Sequence, residues 1–298
     1  MLRYLGYACL CSALPDSSPR GTLLRNASPE RLRALIGENL ARLERVLCFN
    51  VAHDIRLFRI SSDLIPFGSH PVNDVPWWEE YAAPLAALGG YVRANGLRVS
   101  LHPGQYTVLS APRESVLAAA IRDLIYHTRL LDALGLDATH KIIVHGGGIY
   151  GDKAAALRRW AEQYRRLAAN VRARLVVEND ARLFGIEDVL ELSAATGAPV
   201  VMDVFHHRAY SGSSDGLTAF LRRAFATWDP PRDGVPKIHY STQAAGQRPG
   251  AHAAWVDAEE FLAFLAVAPA EVPFDCMLEA KAKEQAWFRV RQALARAA

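Results

Sequence analysis

The chemistry-bearing residues of this chain are histidines and carboxylates. Nine of them recur at or just beyond the ends of short apolar runs: His70, His102, His145, Glu178, Asp203, His206, His239, His252 and Glu279. Any one of these has an ordinary reading as a surface or locally satisfied polar group, and that reading suits His53, His127 and His140. Six histidines and three carboxylates converging on one place would be costly to desolvate unless a cation compensated them. Imidazole with carboxylate and without thiolate suits Mn²⁺, Zn²⁺ or Fe²⁺. With roughly four to six ligands per ion, some of them shared, nine residues suffice for two or three ions. Paired metals about 4 Å apart activate water and neutralise charge on phosphoryl oxygens, so the expected chemistry is phosphoester hydrolysis. Glu178, His145, Asp203 and Glu279 end their runs and sit on the most rigid part of any scaffold. His70, His206 and His252 lie in loops, where a histidine can equally hold a phosphate or orient a ligand.

Lys237 stands two residues before His239, so in a strand both point to the same face. An ammonium beside divalent ions is repelled unless it loses its proton, binds the substrate phosphate, or reacts with carbon dioxide to a carbamate that bridges metals. The ordinary alternative is a lysine reaching from the strand start to solvent.

These residues need elements to position them. The apolar runs are Leu2–Ala8, Leu57–Ser61, Leu97–His102, Lys141–His145, Leu175–Asn179, Val200–Val204, Lys237–Ser241 and Phe274–Glu279. Segments of helical period separate them, with starts at Ser28-Pro29-Glu30 and near Pro76, Pro112, Asp152, Gly185, Asp215, Asp257 and Lys283. Eight strands, each followed by a helix and without a linker, predict an α/β chain folded as one (β/α)₈ TIM barrel over residues 1–298, with the metal site at the C-terminal rim of the strands. A doubly wound open sheet fits less well, because no G-x-G-x-x-G follows the first strand and polar residues recur at nearly every strand end.

Composition sets the outer bounds. With 298 residues, 51% of them hydrophobic, the chain is neither disordered nor a small stapled scaffold. Thirty-four basic against 31 acidic side chains give net +3, so any affinity for an acidic partner must come from local clusters. Cys9, Cys11, Cys48 and Cys276 form neither a disulfide framework nor a zinc knuckle, which fits a reducing, cytoplasmic setting. The opening MLRYLGYACLCSALP reads as a buried strand rather than a leader. No run reaches the roughly 18 to 20 apolar residues of a membrane helix, so no membrane association is expected.

Taken together, GYAC at Gly6–Cys9, FRISSDLIPFGSH at Phe58–His70, LHPGQYTVL at Leu101–Leu109, VHGGGIYGDK at Val144–Lys153, VVEND at Val176–Asp180, MDVFHHR at Met202–Arg208, KIHYS at Lys237–Ser241 and MLEAKAKE at Met277–Glu284 resemble the UV damage endonuclease family. The resemblance runs from the first strand to the last. It implies a Mn²⁺-dependent barrel endonuclease that nicks damaged double-stranded DNA directly 5′ of cyclobutane dimers and 6-4 photoproducts, acts also at abasic sites, and starts excision repair. By motif it implies that all nine residues above are metal ligands, that Lys237 sits among them, that Gln105 and Tyr106 press into the duplex opposite the damage, and that Tyr7 lies beside the scissile phosphate. One departure stands out: Cys11 occupies a position where the family commonly has Asn, removing a polar contact near the cleavage site.

Physical reasoning agrees on Gln105 and Tyr106, since a planar ring and an amide beyond a rim ligand can fill the gap left by an extruded dinucleotide. A poorly stacked photoproduct is easier to extrude, so deformability supplies selectivity without reading base sequence. Arg20, Arg25, Lys153, Arg208 and Arg248 lie in βα loops and are the candidates for phosphate contacts, with moderate, salt-sensitive binding expected at net +3. A monomer suits an enzyme that must embrace a bent duplex. Three other readings compete. A sugar isomerase or epimerase on the same barrel uses His, Asp and Glu with metals but has no use for a protruding Gln-Tyr pair. An abasic-site endonuclease would lack photoproduct activity. A non-catalytic barrel would bind damage without incision.

Overall fold

The computed structural model describes residues 1–297. Its eight strands are all parallel, in the order β3-β2-β1-β8-β7-β6-β5-β4: β1 (Leu2–Ala8), β2 (Leu57–Arg59), β3 (Arg98–Ser100), β4 (Ile142–His145), β5 (Leu175–Glu178), β6 (Val200–Asp203), β7 (Lys237–Tyr240) and β8 (Phe274–Leu278). Beyond β3, Leu101 bridges to Ile142 and closes the sheet into the expected barrel, with the amide of Leu101 donating to the Lys141 carbonyl at 3.0 Å. Every expected strand is present, several ending one or two residues early because the chain leaves the sheet to enter the rim loops. Among the described residues no helix is long and apolar enough to cross a membrane.

Most helices start where their caps predict. Ser28 Oγ accepts from the Arg31 amide ahead of the helix Pro29–Ala52, Asp152 caps Lys153–Arg166, and Asp257 caps Ala258–Val267. The sequence reading missed two short helices, Val204–Ser211 and Pro230–Asp233. Of these, Val204–Ser211 bears directly on the site, because β6 runs into it without a loop and Asp203 itself is the cap, accepting from the His206 amide at 2.7 Å.

Strand alternation divides the buried residues into two populations. The larger core lies between sheet and helices and includes Leu5, Tyr7, Ile142, Val144, Val177, Met202, Ile238 and Leu278. The neighbours of these residues in sequence fill the barrel interior. At mid-height Ile143, Val176 and Val201 pack with Trp228, and Leu57 packs with Met277 and Ala8. Gly6 is required there: a Cβ would lie 2.3 Å from the Leu57 carbonyl oxygen, so the two strands could not approach.

Toward the N-terminal ends of the strands the interior becomes ionic. Asp275 is fully buried and accepts from Arg98 at 2.7 Å, while Arg3 grips the same carboxylate through two nitrogens at 2.7 and 2.8 Å. Beside it Lys141 donates to Asp233 at 2.7 Å. Removing one partner of such a pair strands a buried charge, whereas an exposed pair contributes little. Asp275→Ala is therefore expected to destabilise the fold by about 3–5 kcal/mol, and Glu187→Ala, which breaks the exposed Arg223 pair, by under about 1 kcal/mol. Urea denaturation of both variants checks this, and equal midpoints would contradict it.

Candidate metal centre

The C-terminal ends of the strands gather the ligand candidates. Strand register sets His145 of β4 beside Glu178 of β5, and Asp203 of β6 beside His239 of β7. His102 follows β3 and Glu279 follows β8. Two groups result, each with ligand atoms within 4.8 Å of one another: His102, His145 and Glu178, and Glu178, Asp203, His239 and Glu279. Glu178 belongs to both. Its Oε2 lies 3.0 Å from His102 Nε2 and 3.6 Å from His145 Nε2, and its Oε1 lies 2.5 Å from His239 Nδ1. One carboxylate facing two ligand groups is the arrangement that bridges neighbouring divalent ions.

The surroundings prepare these ligands. Asn179 clamps β5 to β6, donating to the Asp203 carbonyl at 3.0 Å and accepting from the Asp203 amide at 2.9 Å. One carboxylate oxygen of Asp203 is left buried without a partner, as is Nδ1 of His145. Buried polar atoms are ordinarily satisfied, so these two orphans, in a donor set of imidazoles and carboxylates, fit a divalent cation. Backbone carbonyls engage Nδ1 of His102, His206 and His252, from Pro103, Asn179 and Glu279 at 3.0, 3.2 and 2.9 Å. A hydrogen donated there fixes the tautomer and leaves Nε2 with the lone pair a metal needs.

Electrostatics match the geometry. Burial pushes the Glu178 carboxyl up, but His239, His145 and His102 outweigh it and hold the group well below the usual carboxylate range. Burial likewise opposes Glu279, which Arg59 and His239 draw down. Asp203 is raised by burial. Burial lowers His102 to about 4, so it is a neutral ligand at physiological pH. Against the same burial, Asp203, Glu178 and Glu279 lift His206 to about 9, so its Nε2 offers a lone pair only when a bound cation displaces the proton.

Arg59 is the residue the sequence reading overlooked. Its guanidinium is buried within the site, donating to Glu279 Oε1 and lying 2.9 Å from His239 Nε2. The signal was present in β2, where alternation puts Arg59 on the same face as Leu57, inside the barrel. Lys237 does point inward, as expected. It is fully buried with no partner for Nζ, and burial beside Arg98 and Arg59 pushes its amine well below the usual lysine range.

The remaining candidates divide. His206 and His252 border the two groups, with His206 Nδ1 3.5 Å from Asp203 and His252 Nδ1 4.0 Å from Glu279. His70 stands apart, exposed, its Nδ1 accepting from the Val72 amide. Gln105 and Tyr106 project from the loop after β3, Tyr106 with 70% of its surface exposed. Thr107 pins that loop to the helix Glu114–Ala133 through Asp123 at 2.5 Å. Gly104 makes room for the ring, since a Cβ would lie 2.4 Å from it.

Tyr7 is not where the resemblance put it. It faces the helix layer, fully buried, with its hydroxyl donating to Asn50 at 2.7 Å, because alternation turns Tyr7 outward when Gly6 and Ala8 face the interior. That position offers no contact with a substrate phosphate. Cys11 is buried close to Tyr7. Of the five cations expected in loops, Arg208 stands in the helix Val204–Ser211 and Lys153 opens Lys153–Arg166, and three are already engaged: Lys153 by Asp188 at 2.5 Å, Arg208 by Glu260, and Arg20 by Asp16 at 3.2 Å. Arg25 and Arg248 are exposed, with no ion pair among the described residues.

Comparison with known proteins agrees with this architecture. The family model described as UV-endonuclease UvdE matches residues 3–297. A UV DNA damage endonuclease of Clostridium perfringens (strain 13 / Type A) is 37% identical over 94% of this chain and 68% of its own length. The crystal structure of SacUVDE superposes with a TM-score of 0.91 at 35% identity, covering 98% of both chains. At 18% identity and a TM-score of 0.60, endonuclease IV from Thermus thermophilus shares the fold, over 99% of this chain and all of that one. A barrel whose rim joins two ligand groups through Glu178, matched from end to end by that family model, belongs to the UV-endonuclease UvdE family.

Proposed function

We propose that this chain is a divalent-metal-dependent DNA repair endonuclease that nicks the damaged strand directly 5′ of cyclobutane dimers and 6-4 photoproducts, and also acts at abasic sites. The observation that carries this reading is the pairing of the Glu178-bridged ligand groups with an exposed Gln105–Tyr106 loop one step beyond His102. His102, His145, Glu178, Asp203, His239 and Glu279 would hold the ions, with His206 and His252 as rim ligands and His70 outside the set. Mn²⁺ is the preferred ion and Zn²⁺ is compatible with the same donors. Bound there, two or three ions supply the Lewis acidity that makes water a nucleophile at neutral pH and offsets charge at the phosphate.

The chain's own groups do the rest. Asn179 and the backbone carbonyls keep the ligands in register before substrate arrives. Arg59, hydrogen-bonded to Glu279, leaves that carboxylate ionised and fixed. Tyr106 offers a ring for stacking and Gln105 an amide for unpaired base edges, filling the gap when a weakly stacked lesion leaves the helix. Lys237 Nζ, its amine pushed well below the usual lysine range by burial, can attack carbon dioxide in its unprotonated form. The new C–N bond and the loss of one proton give a carbamate, an anionic ligand in place of an amine. Damaged duplex DNA is thus the partner, and a monomer is sufficient for the site as built.

Two variants separate the parts of this reading. Glu178→Gln removes the shared carboxylate and is expected to lower incision by about 10³-fold, the equivalent of several kcal/mol of charge stabilisation, together with loss of bound Mn²⁺ by elemental analysis. Full activity in this variant would contradict a bridging role. Tyr106→Ala is expected to retain its metal and lower incision of a thymine-dimer duplex by about 5- to 150-fold, the range for one lost base–aromatic stack. An unchanged rate on dimer duplex would remove Tyr106 from lesion recognition.

A further inference from the structure

Along the rim of the metal centre lies a pocket of about 260 Å³, lined by Cys9, Arg59, His252, Glu279, Lys281 and Lys283. Three of these, Arg59, His252 and Glu279, also belong to the centre or border it, so the pocket is its direct extension along the rim. Its other wall is cationic. Neither Lys281 nor Lys283 has an ion-pair partner among the described residues, in contrast to Lys153, Arg208 and Arg20. Arg59 contributes a third cation, and its buried Nε has no hydrogen-bond partner.

The backbone at this pocket is held in an unusual shape. Cys9 and Lys283, on opposite sides of it, are both in the left-handed region, at φ of 71° and 53°. For residues other than glycine this costs free energy and persists only where the surroundings impose it. Next to Lys283, Glu284 is fully buried and accepts from the amides of Ser12 and Ala13, each at 2.8 Å, and from Ser12 Oγ at 2.5 Å. These bonds tie the loop after β1 to the start of the last helix and fix Lys283 at the pocket edge. The Cys9 thiol, raised by burial, is drawn down by Arg59 and Lys283, so the lysine's charge is felt within the pocket.

We infer that Lys281 and Lys283, with Arg59 behind them, form a subsite for one backbone phosphodiester flanking the scissile one. A phosphodiester is the ligand of matching charge, because a DNA strand crossing the metal centre must lay its next phosphate within a few ångströms of the rim. Free ammonium groups at the pocket edge are suited to it as mobile point charges. The subsite sets the strand's register over the ions and replaces part of the phosphate contact that the engaged Lys153 and Arg208 do not supply. It rests on the reading of the site as a DNA endonuclease.

The test uses the full chain with Mn²⁺ and a thymine-dimer duplex in which single phosphates around the nick are replaced by neutral methylphosphonates. The double variant Lys281→Gln/Lys283→Asn removes both charges, and asparagine tolerates the left-handed backbone at 283. Wild type is expected to lose about tenfold in kcat/KM at one flanking methylphosphonate, the loss of one charge-assisted contact. The double variant should lose a similar amount on the unmodified duplex and nothing further at that position. Lys281→Arg, which keeps the charge, should behave as wild type. If the two losses multiply at every position, or the double variant matches wild type, the subsite is not there. Failure of wild type to nick any dimer duplex would overturn the endonuclease reading and this inference with it, a result distinguishable from either.

Discussion

The structure depends on the desolvation of Glu178. Its carboxylate is fully buried at the mouth of the barrel and shared between two groups of ligands. Asp203 and Glu279 lie within the same few ångströms, and the one guanidinium in contact, Arg59, reaches Glu279 rather than Glu178. Two buried carboxylates and the half-buried Glu279 against one arginine are tolerable only if imidazoles donate to them or cations bind among them. Here the imidazoles hold Glu178 ionised, and unpartnered atoms on Asp203 and His145 remain for a further charge. The metal centre is in this sense the solution to an electrostatic problem that strand alternation creates.

The rest of the barrel serves that constraint. The ionic floor of Arg98, Asp275, Arg3, Lys141 and Asp233 and the apolar middle of Ile143, Val176, Val201 and Met277 form a plug beneath the site. Because the plug is close-packed, the strand ends cannot shift independently, and ligands from six different strands or strand ends keep a common register. Lys237 lies in this plug below His239, where burial beside Arg98 and Arg59 pushes its amine well below the usual lysine range. The exposed lesion-facing loop is placed outside the plug: Tyr106 is exposed, yet Thr107 and Asp123 anchor its base.

Much of this was legible in the sequence, and the misses have physical causes. Period-2 alternation in Val176-Val177-Glu178 and Val201-Met202-Asp203 identifies both strand and inward face, so the convergence of Glu178 and Asp203 with the other candidate ligands could be anticipated. The same rule, applied to Gly6-Tyr7-Ala8, would have turned Tyr7 toward the helices; position at a strand end was mistaken for position on the rim. Arg59 was passed over because attention went to the ends of the apolar runs and Arg59 lies in the middle of Leu57–Ser61; alternation with Leu57, and the register with Ala8 and Ser100, place it inside the barrel. The helix Val204–Ser211 was hidden because it follows β6 with no loop between. Lys153 opens the helix Lys153–Arg166 and Arg208 lies within Val204–Ser211, so neither is the loop cation expected, and their acidic partners Asp188 and Glu260 are distant in sequence and could not be paired in advance.

The most direct test of the account is incision of an end-labelled duplex carrying a single thymine dimer, with Mn²⁺, with EDTA, and beside an undamaged duplex. A single nick immediately 5′ of the dimer, abolished by EDTA and absent from the undamaged strand, is the predicted result. Incision that survives chelation, or that ignores the lesion, would contradict a metal centre built around Glu178 and read through Tyr106.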